Sequence, residues 1–274
     1  MKTENGSQRQ SSKEAENGGR RQGPERARKR RSTTESERDR KRQPATELER
    51  GRYVKSNRYI ETGGRESADL KNMKKILFVN CCISIHETSR TKRLAESFLR
   101  SYQRCHSGIE IEEVNLMEAG LSPLDPDMIR RRNELSDTGA KDAEEFLQAR
   151  RFASADLIVI AAPYWEMSFP ALLRIYIEHV SALNVTFGYS DTGEQIGLCN
   201  AEYMVYLTTA GGFIDGRDYG GDYLKAMCEV YGIPEFSSVA AEGLDIQGAD
   251  VEAEMAKAVR QADQLASRIS QESR

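Results

Sequence analysis

Residues 157–169 read LIVIAAPYWEMSF, an apolar run followed by an aromatic loop. The first four residues are of the kind that fill a buried strand, and residues 170–180 continue with the spacing of a helix. The loop between them, residues 161–169, carries Trp165, the one tryptophan of the sequence. Open α/β sheets hold flat ligands where a strand ends in a loop before a helix. This stretch therefore predicts an α/β fold with a ligand site at the aromatic loop.

Strand-like and helix-like segments alternate on both sides of this stretch. The predicted strands are residues 76–80, 109–114, 156–161, 203–208 and 236–241. The predicted helices are residues 91–104, 140–153, 170–183, 222–231 and 250–269. Residues 117–136 predict a long surface excursion, and residues 185–193 a small hairpin. This alternation is typical of a flavodoxin-like, doubly wound, five-stranded parallel sheet.

Residues 1–72 differ in composition from the remainder. They hold 20 Lys and Arg against 12 Asp and Glu, a net charge of +8 in a chain of net charge −3, so the remainder carries −11. They contain few large apolar residues, so burial cannot offset the entropy cost of ordering them. We predict a disordered basic extension over residues 1–72 and one domain over residues 73–274. Met73, followed by two lysines and the first strand, also fits a native start, in which case the extension is absent from the native protein.

The run RARKRR at residues 26–31 is the strongest basic cluster in this extension. It could contact nucleic acid or act as a targeting address. Interspersed acids weaken the field that phosphate binding needs, so we favour a solvated charge run without a nucleic-acid partner.

Cysteine content and hydropathy indicate the cellular compartment. The five cysteines are Cys81, Cys82, Cys105, Cys199 and Cys228, without a CxxC pair or a preceding secretory signal. This pattern predicts reduced thiols in a cytoplasmic protein. No apolar run approaches the roughly 20 residues that span a bilayer, so we predict no membrane partner. The three histidines are scattered without ligand spacing, so we predict no metal site.

The loop after the first strand, residues 81–91, ends in Ser89, Arg90 and Thr91. Hydroxyls and backbone N–H groups at a helix N-terminus bind anions, although Ser and Thr also cap ordinary helices there. The sequence lacks GxGxxG and GxxxxGK[ST], so a single phosphate, as in a mononucleotide, suits this loop best.

Two further loops follow strands. Residues 163–167 are either an aromatic wall for a ligand or a pair of rings that pack into the core. Residues 208–213 contain Gly211 and Gly212, which either let the backbone approach a ligand and expose N–H donors or form a flexible surface turn. At one edge of a parallel sheet the three loops describe a crevice for a phosphate and a planar ring. Such a crevice fits FMN.

Several blocks of the sequence carry a family resemblance. They are IVIAAPYWEMSFP at residues 158–170, RIYIEHV at 174–180, VTFGY at 185–189, TTAGG at 208–212 and AEG at 241–243. With these blocks in this order, residues 73–269 resemble the FMN-dependent NAD(P)H oxidoreductases that include the NADH azoreductases and NAD(P)H:quinone reductases.

The resemblance implies a set of cofactor contacts. They are Cys82 after the first strand; Ser89, Arg90 and Thr91 for the phosphate; Pro163, Tyr164, Trp165, Glu166 and Met167 for the ring; and Thr209, Ala210, Gly211, Gly212 and Phe213 beside it. Where azoreductases usually carry Asn and Ser-Arg, this chain has Glu166 and Thr209-Ala210. A carboxylate at the flavin edge would alter its hydrogen bonding and lower its reduction potential.

The resemblance also implies a ping-pong reaction. Hydride passes from NADH or NADPH through FMN to a small-molecule electron acceptor of the quinone, azo or nitro class, without a catalytic side chain from the protein. Tyr189, in the hairpin, either covers the substrate or packs within the hairpin. Family members are usually homodimers to which residues 169–185 would contribute, with Tyr176 and Ile177 in either the core or the interface. The alternative is a flavodoxin-like electron carrier that binds FMN without oxidising NAD(P)H.

Overall fold

The computed structural model describes residues 75–83 and 89–272. The predicted basic extension, its cluster at residues 26–31 and the alternative start at Met73 lie outside these residues.

Seven strands and six α-helices are described in this part of the chain. In chain order they are β1 (Lys75–Asn80), α1 (Arg90–Cys105), β2 (Glu110–Asn115), α2 (Pro126–Asp137), α3 (Leu147–Ser154), β3 (Leu157–Ala161), α4 (Ala171–Val180), β4 (Phe187–Tyr189), β5 (Gln195–Gly197), β6 (Tyr203–Thr209), α5 (Tyr219–Tyr231), β7 (Glu235–Ala241) and α6 (Val251–Glu272).

Five of the strands form one parallel sheet in the order β2-β1-β3-β6-β7. The predicted flavodoxin-like sheet is confirmed, since this is the doubly wound order with the β4–β5 hairpin inserted between its third and fourth strands. The register places Asn80 beside Ala161 and Ala161 beside Leu207. The carboxyl ends of β1, β3 and β6 therefore lie side by side, and the loops that follow them share one edge.

Each face of the sheet carries its own apolar core because side chains alternate along a strand. On β3, Leu157 and Val159 pack towards α1 and α6, whereas Ile158 and Ile160 pack towards α3, α4 and α5. Tyr176 and Ile177 belong to this second core and are almost fully buried. The choice between core and interface for these two side chains is therefore settled in favour of the core.

The predicted surface excursion over residues 117–136 is largely exposed, but its second half forms α2, a helix that was not predicted. Asp125 caps this helix by accepting hydrogen bonds from the N–H groups of Asp127 and Met128, at 2.9 and 2.8 Å. Pro126 follows in the first turn, where its missing N–H costs nothing. Only Leu135 of α2 is buried, so the helix lacks the apolar periodicity that reveals amphipathic helices. The Asp-Pro pair was the available signal.

Two helices next to α2 also differ from their predicted bounds. The predicted helix at residues 140–153 begins only at Leu147, after a 3-10 turn at Glu144–Phe146. Helix α4 ends at Val180 rather than at residue 183. The Arg132 guanidinium donates to the carbonyls of Glu178 and Ser181, at 3.1 and 3.0 Å, and so caps its C-terminus.

Candidate functional site

Four loops meet at the carboxyl edge of the sheet. The loops after β1, β3 and β6 were predicted to meet there, and the fourth, after β7, was not. We call residues 242–250 the anchor loop and residues 209–213 the glycine loop. The Tyr164 N–H donates to the Thr209 carbonyl at 3.0 Å, which joins the β3 loop to the glycine loop.

The N-terminus of α1 forms the first wall. Ser89 is its N-cap and accepts a hydrogen bond from the Lys92 N–H at 3.2 Å. The Thr91 hydroxyl is buried and shares a 2.6 Å hydrogen bond with the Thr209 hydroxyl. The backbone N–H groups of Arg90 and Thr91 have no hydrogen-bond partner among the described residues. An anion at this end would therefore meet backbone donors rather than a free threonine hydroxyl.

The β3 loop makes a tight turn at residues 165–168, which we call the aromatic turn. Trp165 and Ser168 exchange both backbone hydrogen bonds, at 3.0 and 2.7 Å. Glu166 and Met167 between them have φ angles of 49° and 61°. Two successive positive φ angles are typical of a type I′ turn, which normally uses Asn-Gly. Each non-glycine residue in this conformation costs about 1–2 kcal/mol.

Replacing Met167 by glycine is expected to stabilise the flavin-free protein by about 1 kcal/mol, because glycine adopts a positive φ without a steric penalty. The melting temperature should rise by about 2–4 °C. Met117→Gly is the matched control: Met117 is as exposed as Met167 but does not have a positive φ, so glycine there should only destabilise. Equal destabilisation by both substitutions would contradict the strained turn.

The aromatic turn presents apolar side chains to solvent. Trp165 and Met167 are 46% and 47% exposed, so the alternative in which this loop packs into the core is wrong. Phe213 of the glycine loop is 69% exposed and Tyr219, at the start of α5, is 58% exposed. The Phe213 ring lies beside Gly243 of the anchor loop, whereas Trp165 and Met167 share one turn and form a candidate binding surface there.

Two hydrogen bonds hold the β3 loop against the start of α5. The Tyr219 N–H donates to the Met167 carbonyl at 3.1 Å, and the Tyr164 hydroxyl donates to the Arg217 carbonyl at 2.9 Å. Asp218 caps α5 by accepting from the Gly221 N–H at 2.8 Å. Burial raises the pKa of this carboxyl, and the nearby Asp222 and Glu242 carboxylates raise it further.

The glycine loop is held along its length by the anchor loop. The carbonyls of Ala210, Gly211 and Gly212 accept from the N–H groups of Leu244, Asp245 and Gly243, at 3.1, 2.9 and 2.9 Å. The alternative of a flexible surface turn is therefore not supported. With its carbonyls used in this way, the loop keeps its own N–H groups at Gly211, Gly212 and Phe213 without a partner among the described residues.

Arg90 does not extend freely from the helix N-terminus. Its Nη1 lies 2.8 Å from the Asp245 Oδ1 and 3.4 Å from the Leu244 carbonyl oxygen. The side chain predicted to reach a phosphate thus already contacts a carboxylate of the anchor loop.

Cys82 and Pro163 complete the predicted cofactor contacts, and Tyr189 lies on the hairpin. The Cys82 N–H donates to the Asn80 Oδ1 at 3.0 Å, and Pro163 is buried at the start of the β3 loop. Tyr189 is 58% exposed and meets the Phe187 ring of its own strand edge-on, with centroids 6.2 Å apart.

Four thiols are expected to react slowly with alkylating reagents at pH 8. They are Cys81, Cys82, Cys199 and Cys228, whose pKa burial raises from 9.0 to about 12. Only about one in ten thousand would be a thiolate at pH 8, so alkylation should accelerate tenfold per pH unit until the protein unfolds. The unfolded chain ionises first, so the free energy of unfolding should fall as pH rises above 9. Mass-spectrometric mapping of the alkylated cysteines measures the alkylation rates, with urea-unfolded protein as the control. Rapid labelling of any of the four at pH 8 would contradict it.

A cavity of about 1230 Å³ lies between α2, α3 and the end of β2, and none of the predicted site residues lines it. Within residues 75–83 and 89–272 no group of His, Cys, Asp and Glu could hold a metal ion. No helix among the described residues is long and apolar enough to cross a membrane.

Comparisons with known proteins agree with this architecture. The chain is 32% identical to an FMN-dependent NADH:quinone oxidoreductase of Coprothermobacter proteolyticus over 71% of this chain and 98% of the relative. It is also 32% identical to FMN-dependent NADH:quinone oxidoreductase 2 of Clostridium acetobutylicum, again over 71% and 98% of the two chains.

Solved structures support the fold. An FMN-dependent NADH-azoreductase of Bacillus anthracis, solved in complex with FMN, superimposes with a TM-score of 0.62 at 24% identity, over 72% of this chain and all of that one. The family model described as a flavodoxin-like fold, Flavodoxin_2, matches residues 74–266. The chain therefore belongs to the flavodoxin-like fold family, among the FMN-dependent NAD(P)H oxidoreductases that its relatives represent.

Proposed function

We propose that this protein is an FMN-dependent NADH:quinone oxidoreductase. The observation that carries the proposal is a set of backbone donors at the carboxyl edge of the sheet. The N–H groups of Glu166, Met167, Gly211, Gly212 and Phe213 lack partners among the described residues. They lie on two loops that also expose Trp165, Met167 and Phe213. Polar donors between apolar side chains suit a flat ring whose edge carries acceptors.

The residues present fit FMN. The isoalloxazine ring is planar and has carbonyl oxygens and ring nitrogens that accept hydrogen bonds, which matches donors on the aromatic turn and the glycine loop. The N–H groups of Arg90 and Thr91 at the N-terminus of α1, which have no partner among the described residues, would hold the phosphate. When bound, FMN supplies hydride chemistry, and the protein supplies orientation and electrostatics.

The residues of the chain position the reaction rather than carry it. Trp165 and Met167 would exclude water from the side of the site formed by the aromatic turn. The Cys82 thiol stays protonated at neutral pH, because burial raises its pKa to about 12, so it is a poor nucleophile. Glu166 is exposed on the aromatic turn, where its charge would disfavour added negative charge on the flavin and so lower the reduction potential. Tyr189 is proposed to contact the acceptor from the hairpin.

Two measurements test the proposal. The purified protein, or the protein reconstituted with FMN, should show the absorbance bands of oxidised flavin, and NADH should bleach them in anaerobic stopped-flow mixing. Steady-state quinone reduction should give parallel double-reciprocal lines, as a ping-pong reaction requires. An electron carrier would bind FMN but would not be bleached by NADH or NADPH. A protein that cannot be reconstituted with FMN would overturn the proposal.

NADH is proposed as the donor because the relatives are named for it. The acceptor class is quinones, with azo and nitro compounds as further acceptors.

We further propose a homodimer in the cytoplasm with a flavin domain over residues 73–274. Leu183, Tyr189 and Leu198 expose apolar surface on and beside the hairpin, which is a candidate contact between copies. The five cysteines, all among the described residues, are thiols rather than disulfides, which suits a reducing compartment. Light scattering of the flavin-loaded protein tests the dimer, and a chain that begins at Met73 should retain FMN and NADH oxidation if the domain bounds are right.

A further inference from the structure

Resting on the proposed function, we propose that Arg90 and Asp245 form a clasp that positions the glycine loop against the flavin ring. Arg90 then acts on the cofactor through Asp245, as a positioning residue, rather than as a direct ligand of the phosphate.

Asp245 connects two parts of the site. On one side its Oδ1 accepts from the Arg90 Nη1 at 2.8 Å, which ties it to the first residue of α1. On the other side its backbone N–H donates to the Gly211 carbonyl at 2.9 Å. The side chain and backbone of one residue thus join the N-terminus of α1 to the glycine loop.

The carboxylate also lies directly over the glycine loop. A Cβ atom added at Gly211 would come within 2.4 Å of the Asp245 Oδ2, so this position has room only for glycine while the carboxylate stays in place. Arg90 holds that carboxylate beside Gly211. If the carboxylate is released, the backbone at Gly211 gains room to move. The next two N–H groups along the chain, at Gly212 and Phe213, are the donors proposed for the ring.

The clasp is poorly placed to stabilise the fold. The side chains of Arg90 and Asp245 are 45% and 71% exposed, and exposed ion pairs contribute little to the free energy of unfolding. Other contacts hold α1 in place. Thr91 bonds to Thr209 at 2.6 Å, and Arg93 makes a bidentate pair with Glu252 of α6 at 2.9 and 2.8 Å. Removing the clasp should therefore move the glycine loop without unfolding the protein.

The alternative is that Arg90 leaves Asp245, or bridges it, to bind the phosphate directly. Riboflavin separates the two roles because it has the ring of FMN without the phosphate. The dissociation constants of FMN and riboflavin are measured by fluorescence quenching with full-length wild type, Arg90→Gln, Asp245→Asn and the charge-swapped pair Arg90→Asp with Asp245→Arg.

The clasp predicts that both single variants weaken FMN and riboflavin by the same factor, about two- to fivefold, or about 0.4–1 kcal/mol. The charge swap should recover most of the loss for riboflavin, which has no phosphate for the new carboxylate at residue 90 to repel. A direct phosphate ligand predicts that Arg90→Gln weakens FMN alone and that Asp245→Asn changes neither ligand. The second pattern would overturn the clasp.

Arg93→Gln is the matched control, because Arg93 makes a comparable exposed ion pair one helical turn away that does not touch the glycine loop. It should leave both dissociation constants unchanged.

Hydrogen–deuterium exchange on the flavin-free protein tests the clasp independently of cofactor binding. Amides at residues 243–245, which donate to the carbonyls of the glycine loop, should exchange faster in Arg90→Gln and Asp245→Asn than in wild type or Arg93→Gln. Unchanged exchange in both variants would overturn the clasp even if FMN binds. Faster exchange in a protein that binds no flavin would instead retain the clasp and refute the proposed function.

Discussion

Gly197→Ala is expected to destabilise the protein by about 3 kcal/mol, at the upper end of the cost of overpacking a tight contact. A Cβ at Gly197 would lie 2.0 Å from the backbone nitrogen of Gly232 and 2.1 Å from the carbonyl carbon of Tyr231. These are backbone atoms at the C-terminus of α5, so no side-chain rotation can relieve the clash. The hairpin strand β5 must separate from the helix. Thermal unfolding should show a melting temperature lower by about 6–12 °C.

Gly193→Ala provides the matched control within the same hairpin. Gly193 has a φ of 82° and no atom within 4 Å of the added Cβ, so alanine costs only the strain of a positive φ, about 1–2 kcal/mol. The difference between the two variants measures the contact between β5 and α5. If both lower the melting temperature equally, the contact is not as close as the structure shows.

Gly220→Ala is expected to raise the dissociation constant of FMN about tenfold, equivalent to 1.4 kcal/mol. A Cβ at this position would lie 2.8 Å from the Phe169 Cδ1 and 3.1 Å from the Ser168 Cα and carbonyl carbon. Gly220 is buried in the first turn of α5, directly behind the aromatic turn. An added methyl group would push residues 165–168 away from α5 and misplace their N–H donors.

The sign of the change in the free energy of unfolding distinguishes the effect of this close contact from the effect of helix propensity. In an unobstructed helix, glycine-to-alanine stabilises by about 1 kcal/mol. Here the clash with Ser168 opposes that gain, so Gly220→Ala should not stabilise the protein although it lies in α5. Lys225→Ala, an exposed position on the same helix, serves as the control and should leave FMN affinity unchanged. An FMN dissociation constant within twofold of wild type in Gly220→Ala would show that α5 does not support the turn.

Much of the fold was predictable because it depends on local periodicity. Apolar runs such as residues 157–161 identify buried strands without reference to the rest of the chain. Helix α2 was missed because it buries only Leu135 and therefore carries no such pattern. The fourth loop at the site was missed for a related reason: beyond the family block at residues 241–243, residues 242–250 carry no signal until they are seen to pair with the glycine loop.

The sequence by itself determined the alternation of strands and helices, the edge at which the site lies and the loops that carry Trp165 and Gly211. Only the tertiary structure decided which groups in those loops have no hydrogen-bond partner among the described residues. It paired the Thr91 hydroxyl with Thr209, 118 residues away, and turned Arg90 towards Asp245, 155 residues away. Hydrogen bonds depend on ångström distances between side chains that the sheet brings together, and no pattern along the chain records those distances.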